Sequence, residues 1–229
     1  MEDPKADQEK KHLAHGIIQK LHQRYGEPRW RQPLSPLDEL ISTILSQNTN
    51  DGNRDRAFEA LRRHFPTWEA VRDAPLSAVV EAIRTAGLAH QKGQRIQAVL
   101  RSITEQRGRL ELDFLKEMDA DEAQRWLRQF KGVGPKTAAI VLLFSLNKPA
   151  FPVDTHIHRV TRRLGLIPES ASAEQAHLLL AEIFEPGDYA AAHLNIIRLG
   201  REICQARKPK CPICPLQEEC TYYRRQVPS

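Results

Sequence analysis

The sequence predicts an all-α protein of two helical domains. Apolar residues recur at helical spacing along almost the whole chain, helix-start signals precede several of these stripes, and no convincing run of alternating strand pattern appears. Short connections carrying Gly or Pro separate the stripes, as in a helical bundle.

In chain order, the first stripe is Leu13, Ile17 and Leu21. Ser35-Pro36-Leu37-Asp38 then marks a helix start: a hydroxyl to cap, a proline whose missing N–H costs nothing in the first turn, and an acid at the positive end of the dipole. Leu37, Leu40, Ile41, Ile44 and Leu45 form the face that follows. Further stripes are Ala57/Phe58/Leu61/Phe65, Leu76/Val79/Val80/Ile83 and Ile96/Val99/Leu100/Ile103. Asp119 with Glu122 reads as a capping box ahead of Ala123, Trp126, Leu127 and Phe130, and Ser172 with Gln175 repeats the device ahead of Leu178–Phe184. The longest apolar run, Ala138–Leu146, is shorter than the ~18 residues a membrane span needs, so it reads as a buried helix.

The 229 residues suffice for one large or two modest domains. Aromatic residues are only 6%, so the core must rest on Leu, Ile, Val and Ala. The formal net charge of +5 permits a nucleic-acid partner without demanding one. The start, Met1-Glu-Asp-Pro-Lys, is unlike a secretory or transit peptide.

Two segments concentrate unusual chemistry. In Phe130-Lys-Gly-Val-Gly-Pro-Lys-Thr-Ala138, two glycines sit between helical patterns and Pro135 suits the first helical position, which makes Gly134 the N-cap. The N–H groups of such a turn have no intrahelical partner and are free to hold a phosphate. An ordinary glycine-rich turn explains the same residues. The second segment holds all four cysteines, as Cys204-x6-Cys211-x2-Cys214-x5-Cys220. Clustering without a secretion signal favours a shared metal site over disulfides. Four sulfurs suit either tetrahedral zinc or an iron–sulfur cluster, and spacing alone does not separate them.

The hairpin resembles the helix-hairpin-helix motif of the endonuclease III superfamily, Leu-Pro-Gly-Val-Gly-x-Lys-Thr-Ala, with Phe130-Lys131 in place of Leu-Pro. The downstream Val153-Asp154-Thr155-His156 and the cysteine box are similar to the same family. The resemblance implies a six-helix domain over 29–148, and an iron–sulfur domain formed by 1–28 with 149–229. It implies Lys136 as nucleophile, Asp154 as its acidic partner, and Cys204, Cys211, Cys214 and Cys220 as ligands of a [4Fe–4S] cluster. An amine attacking the anomeric carbon gives a covalent intermediate that opens to a Schiff base, while a carboxylate stabilises positive charge growing on the sugar. Taken singly, the two residues read as a phosphate-binding lysine and a helix-capping aspartate.

Leu45-Ser-Gln47-Asn-Thr49 resembles the family segment whose glutamine fills the space of an extruded base, and Gly87-Leu88 the turn whose leucine wedges into the duplex. Without the resemblance, these are a helix-end polar residue and a core leucine. The implied DNA contacts are Gln47, Leu88, Gly132, Val133, Gly134 and Thr137. Arg207, Lys208 and Lys210, between the first two cysteines, form either a phosphate-contacting loop or a solvated basic one. Ala89-His90-Gln91, Asn48 and Asn50 depart from the bacterial endonuclease III pattern and point to a different lesion or opposite-base preference.

The implied protein is a monomeric bifunctional glycosylase and abasic-site lyase, nucleoid-associated in a bacterial cytoplasm. It would remove oxidised pyrimidines from double-stranded DNA and nick abasic sites. A non-catalytic damage-scanning protein, an adenine-mismatch glycosylase and a redox protein are the rivals. The retained Lys136, the chain end soon after Cys220, and the hairpin argue against them.

Overall fold

The structure, a computed structural model, describes residues 4–28 and 31–226. The domain start expected at position 29 lies outside the described residues. Twelve α-helices and four short 3₁₀ turns make up the regular structure among the described residues, with no strand. The chain divides into two compact units, Pro33–Lys148 and Met1–Gln32 with Pro149–Ser229.

The 33–148 unit is built around α2 (Pro36–Ser46), whose residues from Pro36 to Leu45 are buried except Asp38. Ser35 caps it by accepting from the Asp38 N–H at 3.2 Å, an arrangement worth about 1 kcal/mol. Helices α3 (Asp51–His64), α6 (Ala89–Arg107) and α8 (Pro135–Ser145) pack on it. The expected apolar stripe of α6, Ile96/Val99/Leu100/Ile103, is fully buried. Seven α-helices fill this unit where six were expected. Pro75 divides the short α4 (Trp68–Asp73) from α5 (Leu76–Ala82), and α7 (Ala120–Arg128) starts on Asp119, which accepts from the Glu122 N–H at 2.7 Å.

Two polar side chains of α6 point into this core. Gln97 Nε2 donates to Val71 O at 3.0 Å and Ala74 O at 2.7 Å. Lys92, 1% exposed, donates through Nζ to Leu45 O at 2.8 Å and Ala86 O at 2.7 Å. The end of α4, the end of α2 and the turn before α6 are thereby tied to one helix.

In the second unit, α1 (Pro4–Tyr25) packs on α10 (Ala173–Ile183) and α11 (Tyr189–Glu202), and α11 packs on α9 (Thr155–Leu164). Gly200 allows the close approach of α11 to α9, because a Cβ there would come within 2.9 Å of His156 Cβ. The Ser172–Gln175 capping box forms in both directions, at 3.1 and 2.8 Å. Leu178, in the apolar run that follows, is 66% exposed and faces away from the core. No helix among the described residues is long and apolar enough to cross a membrane.

Burial pushes the Lys92 ammonium down to about 8, with Arg95 adding like-charge repulsion. Between about pH 8 and 10.5 the unfolded chain therefore binds more protons at this site than the folded one, so stability contributed by Lys92 rises with pH through that window. The neutral amine retains two N–H groups for its two carbonyls. In urea denaturation, the stability of wild type relative to Lys92→Met should rise from pH 8 to pH 10. A difference independent of pH would mean that Lys92 is not a protonated, desolvated amine at neutral pH.

Candidate active site, hairpin and cysteine loop

The hairpin joins α7 to α8. Gly132 adopts φ +90°, a conformation that L side chains rarely reach, and Gly134 is the extended N-cap of α8. Val133 N–H is spent on Phe130 O at 3.0 Å, and the side chains of Val133 and Thr137 are buried. The N–H groups of Gly134, Lys136 and Thr137 make no backbone hydrogen bond among the described residues, as the first turn of a helix requires. Any anion held here meets the backbone, at the positive end of the α8 dipole. Lys136 occupies the second helical position, half-buried, and its Nζ makes no hydrogen bond or ion pair among the described residues.

Asp154 lies in the other unit, as the N-cap of α9, with Oδ1 accepting from the Ile157 N–H at 2.8 Å. The capping duty expected of a structural aspartate is thus real, and Oδ2 makes no hydrogen bond among the described residues. The segment leading to it, 150–153, is buried and has no regular structure. Its two central carbonyls meet buried imidazoles: Phe151 O lies 2.8 Å from His177 Nδ1 and Pro152 O 2.9 Å from His193 Nδ1. The Phe151 ring stacks on Phe184 with centroids 5.1 Å apart. The sequence reading missed both histidines. His177 was detectable as a polar residue at the core-facing position of α10.

Gln47 is the C-cap of α2, so it does end a helix, and its side chain crosses to the hairpin. Nε2 donates to Gly132 O at 3.1 Å, and Oε1 accepts from Arg95 Nη1 of α6. Leu88 is 53% exposed and left-handed at φ +49°, so it is not a core residue. A non-glycine residue held there is strained by about 1 kcal/mol or more. Thr49 Oγ1 and Lys92 Nζ both donate to Ala86 O, at 2.6 and 2.7 Å, and this links the Gln47 and Leu88 segments.

The four cysteines converge on one recess, lined also by Arg163, Ile203, Pro209, Gln217, Tyr222 and Tyr223. Cys204 follows the end of α11, Cys211 opens a 3₁₀ turn that Cys214 ends, and Cys220 precedes the short α12 (Thr221–Arg224). Fully buried Leu216 anchors the loop from below. Burial pushes the Cys214 thiol up to about 11 and raises Cys211 and Cys220 as well. Bare thiolates are thus disfavoured, and a cationic metal centre would reverse that. Among the described residues no three His, Cys, Asp or Glu gather closely enough to hold one metal ion. Four sulfurs lining one recess are a donor set that would suit either an iron–sulfur cluster or a tetrahedral ion.

Arg163, unforeseen from the sequence, donates from Nη1 to Cys204 Sγ at 3.3 Å and lies 4.5 Å from the Tyr222 ring centroid. Arg159, one turn earlier on α9, donates to Cys204 O at 3.0 Å and Gly200 O at 2.9 Å. Their i, i+4 spacing puts both on one helix face. Arg207, Lys208 and Lys210 are exposed on the loop between Cys204 and Cys211, where Lys210 N–H donates to Ile203 O at 3.0 Å and closes the loop. None of the three makes a salt bridge among the described residues.

This architecture has known counterparts. The family described as HhH-GPD superfamily base excision DNA repair protein matches residues 41–186. A protein of Arabidopsis thaliana named as a DNA glycosylase is 40% identical over 64% of this chain, which spans 50% of that relative. Endonuclease III of Thermotoga maritima is 33% identical over 87% of this chain and 89% of its own length. A solved non-covalent endonuclease III–DNA complex is similar with a TM-score of 0.80 and 27% identity, covering 94% of this chain and 97% of that one. By both the match across 41–186 and the near full-length similarity to endonuclease III, the chain belongs to the HhH-GPD superfamily of base excision DNA repair proteins.

Proposed function

We propose that this protein is a bifunctional DNA glycosylase and abasic-site lyase that removes oxidised pyrimidines from duplex DNA. The observation that carries this reading is Lys136: an unpaired, half-buried amine in the first turn of α8, directly behind a hairpin with free N–H groups. Phosphate held by those groups would set the strand in register without reading bases. Lys136 Nζ, once deprotonated, attacks the anomeric carbon. The N-glycosidic bond breaks, its electron pair leaves with the base, and the Asp154 carboxylate stabilises the positive charge that develops on the sugar. Ring opening gives a Schiff base, loss of a C2′ proton expels the 3′ phosphate, and hydrolysis frees the lysine. Gln47 and Leu88 serve extrusion, filling the vacancy and parting the stack, which offsets a cost of a few kcal/mol, roughly.

Cys204, Cys211, Cys214 and Cys220 hold a [4Fe–4S] cluster in this reading. Bound there, the cluster would cross-link a loop that has little core of its own, and Arg207, Lys208 and Lys210 would then be presented to phosphates. A second reading, a damage-binding protein without turnover, draws on the capping role of Asp154, since that residue has a structural task independent of chemistry. Borohydride trapping separates the two, because a binding protein forms no adduct. The lesion class is tested with a panel of duplexes, each carrying one oxidised pyrimidine, with excision and nicking scored separately.

Lys136→Ala should abolish the adduct trapped by borohydride while DNA affinity stays within a few-fold. Full trapping by the variant would remove Lys136 from the nucleophile role.

Asp154→Asn should slow excision by about 10²–10³-fold, the scale of losing one charge-stabilising group. Asn caps a helix as well as Asp does, so the melting temperature should hold. Near-normal excision at unchanged melting temperature would contradict the electrostatic role.

Replacing Arg207, Lys208 and Lys210 together with Ala should flatten the dependence of log affinity on log salt by roughly 0.9 per lost phosphate contact, up to ~2.7. The loss should be the same for plain and lesion-bearing duplexes, and iron per protein should not change. An unaltered slope at full iron content would make the loop a solvated face.

A further inference from the structure

Arg95 has no part in the chemistry described so far, yet its side chain occupies the junction of three segments. It lies on α6 two helical turns beyond Leu88, and helical side chains lean toward the N-terminus, which brings its guanidinium back toward the Gln47 loop. Nη1 donates to Gln47 Oε1. The same side chain packs closely against Gly132, where a Cβ would collide with Arg95 Nε and Cδ. Gln47 Nε2 meanwhile donates to Gly132 O at 3.1 Å. Arg95 has no acidic partner among the described residues, and the titratable group it acts on is another cation, Lys92.

The guanidinium has donors only, so it dictates the orientation of the amide. Gln47 Oε1 must face α6, and Nε2 must be the end that points away from it. A glutamine without this partner would be held at one end only, through Nε2 on Gly132 O, and its side chain would be less ordered. We propose that Arg95 is a positioning residue for base extrusion: it holds the acceptor end of the Gln47 amide while Gly132 O takes the donor end, so that the group filling the vacated space is fixed at both ends before DNA arrives. This rests on the glycosylase reading and on the space-filling role of Gln47 within it. The order of Gln47 has consequences only where a base must leave the stack, and a pre-formed abasic site has no base to extrude.

The test compares wild type, Arg95→Met, Gln47→Ala and the double variant in three measurements. The first is the fluorescence rise of 2-aminopurine placed beside the lesion on binding, which requires no turnover. The second is single-turnover excision, and the third is nicking of a duplex with a pre-formed abasic site. Arg95→Met should reduce the fluorescence rise and slow excision by about 10-fold, while nicking stays within two-fold. The double variant should be no slower in excision than Gln47→Ala alone, because Arg95 acts through Gln47. Arg95→Lys should not rescue, since an ammonium lacks the planar fork that lies on Gly132. Additive losses in the double variant, or equal losses in excision and nicking, would overturn the inference. Wild-type protein that extrudes 2-aminopurine without cutting would sink the glycosylase reading and leave the positioning role to be decided by fluorescence alone.

Discussion

One buried ammonium organises the face of the 33–148 unit proposed to enter DNA. Lys92 Nζ reaches Leu45 O at the end of α2 and Ala86 O before α6, and no carboxylate pairs with it among the described residues. A lysine in a dry core is expensive, and its lowered proton affinity shows that cost. What it achieves is geometric. Gln47 and Leu88 are 41 positions apart in the chain, yet the loop after α2 and the turn before α6 share one anchor point, reinforced by Thr49 on the same carbonyl. The left-handed backbone of Asn48 and Leu88 persists because those anchors over-determine it.

The cysteine-bearing unit follows a similar logic with different side chains. Its irregular segments are held through their carbonyls by arginine and histidine from neighbouring helices. Arg159 and Arg163 take carbonyls of Gly200, Cys204, Gln205 and Ala206, while His177 and His193 meet those of Phe151 and Pro152. Buried carbonyls need partners, and segments without regular structure cannot supply their own. The cysteine loop gains its shape from the α9 arginines, which would limit the disorder that binding a cluster had to overcome.

The elements legible in the sequence were those with local signals. Helix starts at Ser35, Asp119 and Ser172 announced themselves through capping chemistry, and the α6 stripe through its period. Gly134 as N-cap and the cysteine box were legible for the same reason. Helix α4 was missed because six residues are too few for periodicity, although Thr67, which accepts from Ala70 N–H at 3.1 Å, was a readable cap. Lys92 sits one turn before Ile96 on the buried face of α6, and a lysine is ordinarily assigned to the surface. Arg95 and Gln47, or Arg163 and Cys204, are separated by tens of residues. Nothing local announces such a pair, since only the packed helices bring the partners together. Leu178 fails in the opposite sense, as an apolar residue that the period of α10 turns toward solvent.

Asp154 shows why structural and catalytic readings of one residue need not compete. As N-cap of α9 it has one carboxylate oxygen fixed by Ile157 N–H, and the backbone before it is pinned by stacked Phe151 and two buried imidazoles. A carboxylate that must stabilise a short-lived cation gains most when it is already oriented, because reorientation during the reaction would consume the stabilisation it provides. Capping supplies that orientation through one oxygen, and in the proposed mechanism the other would meet the substrate. A freely rotating aspartate on a loop would carry the same charge with less effect, since its dipoles would have to be organised anew in each encounter. If Asp154 has the proposed catalytic role, the cap is the means by which the fold prepares its charge.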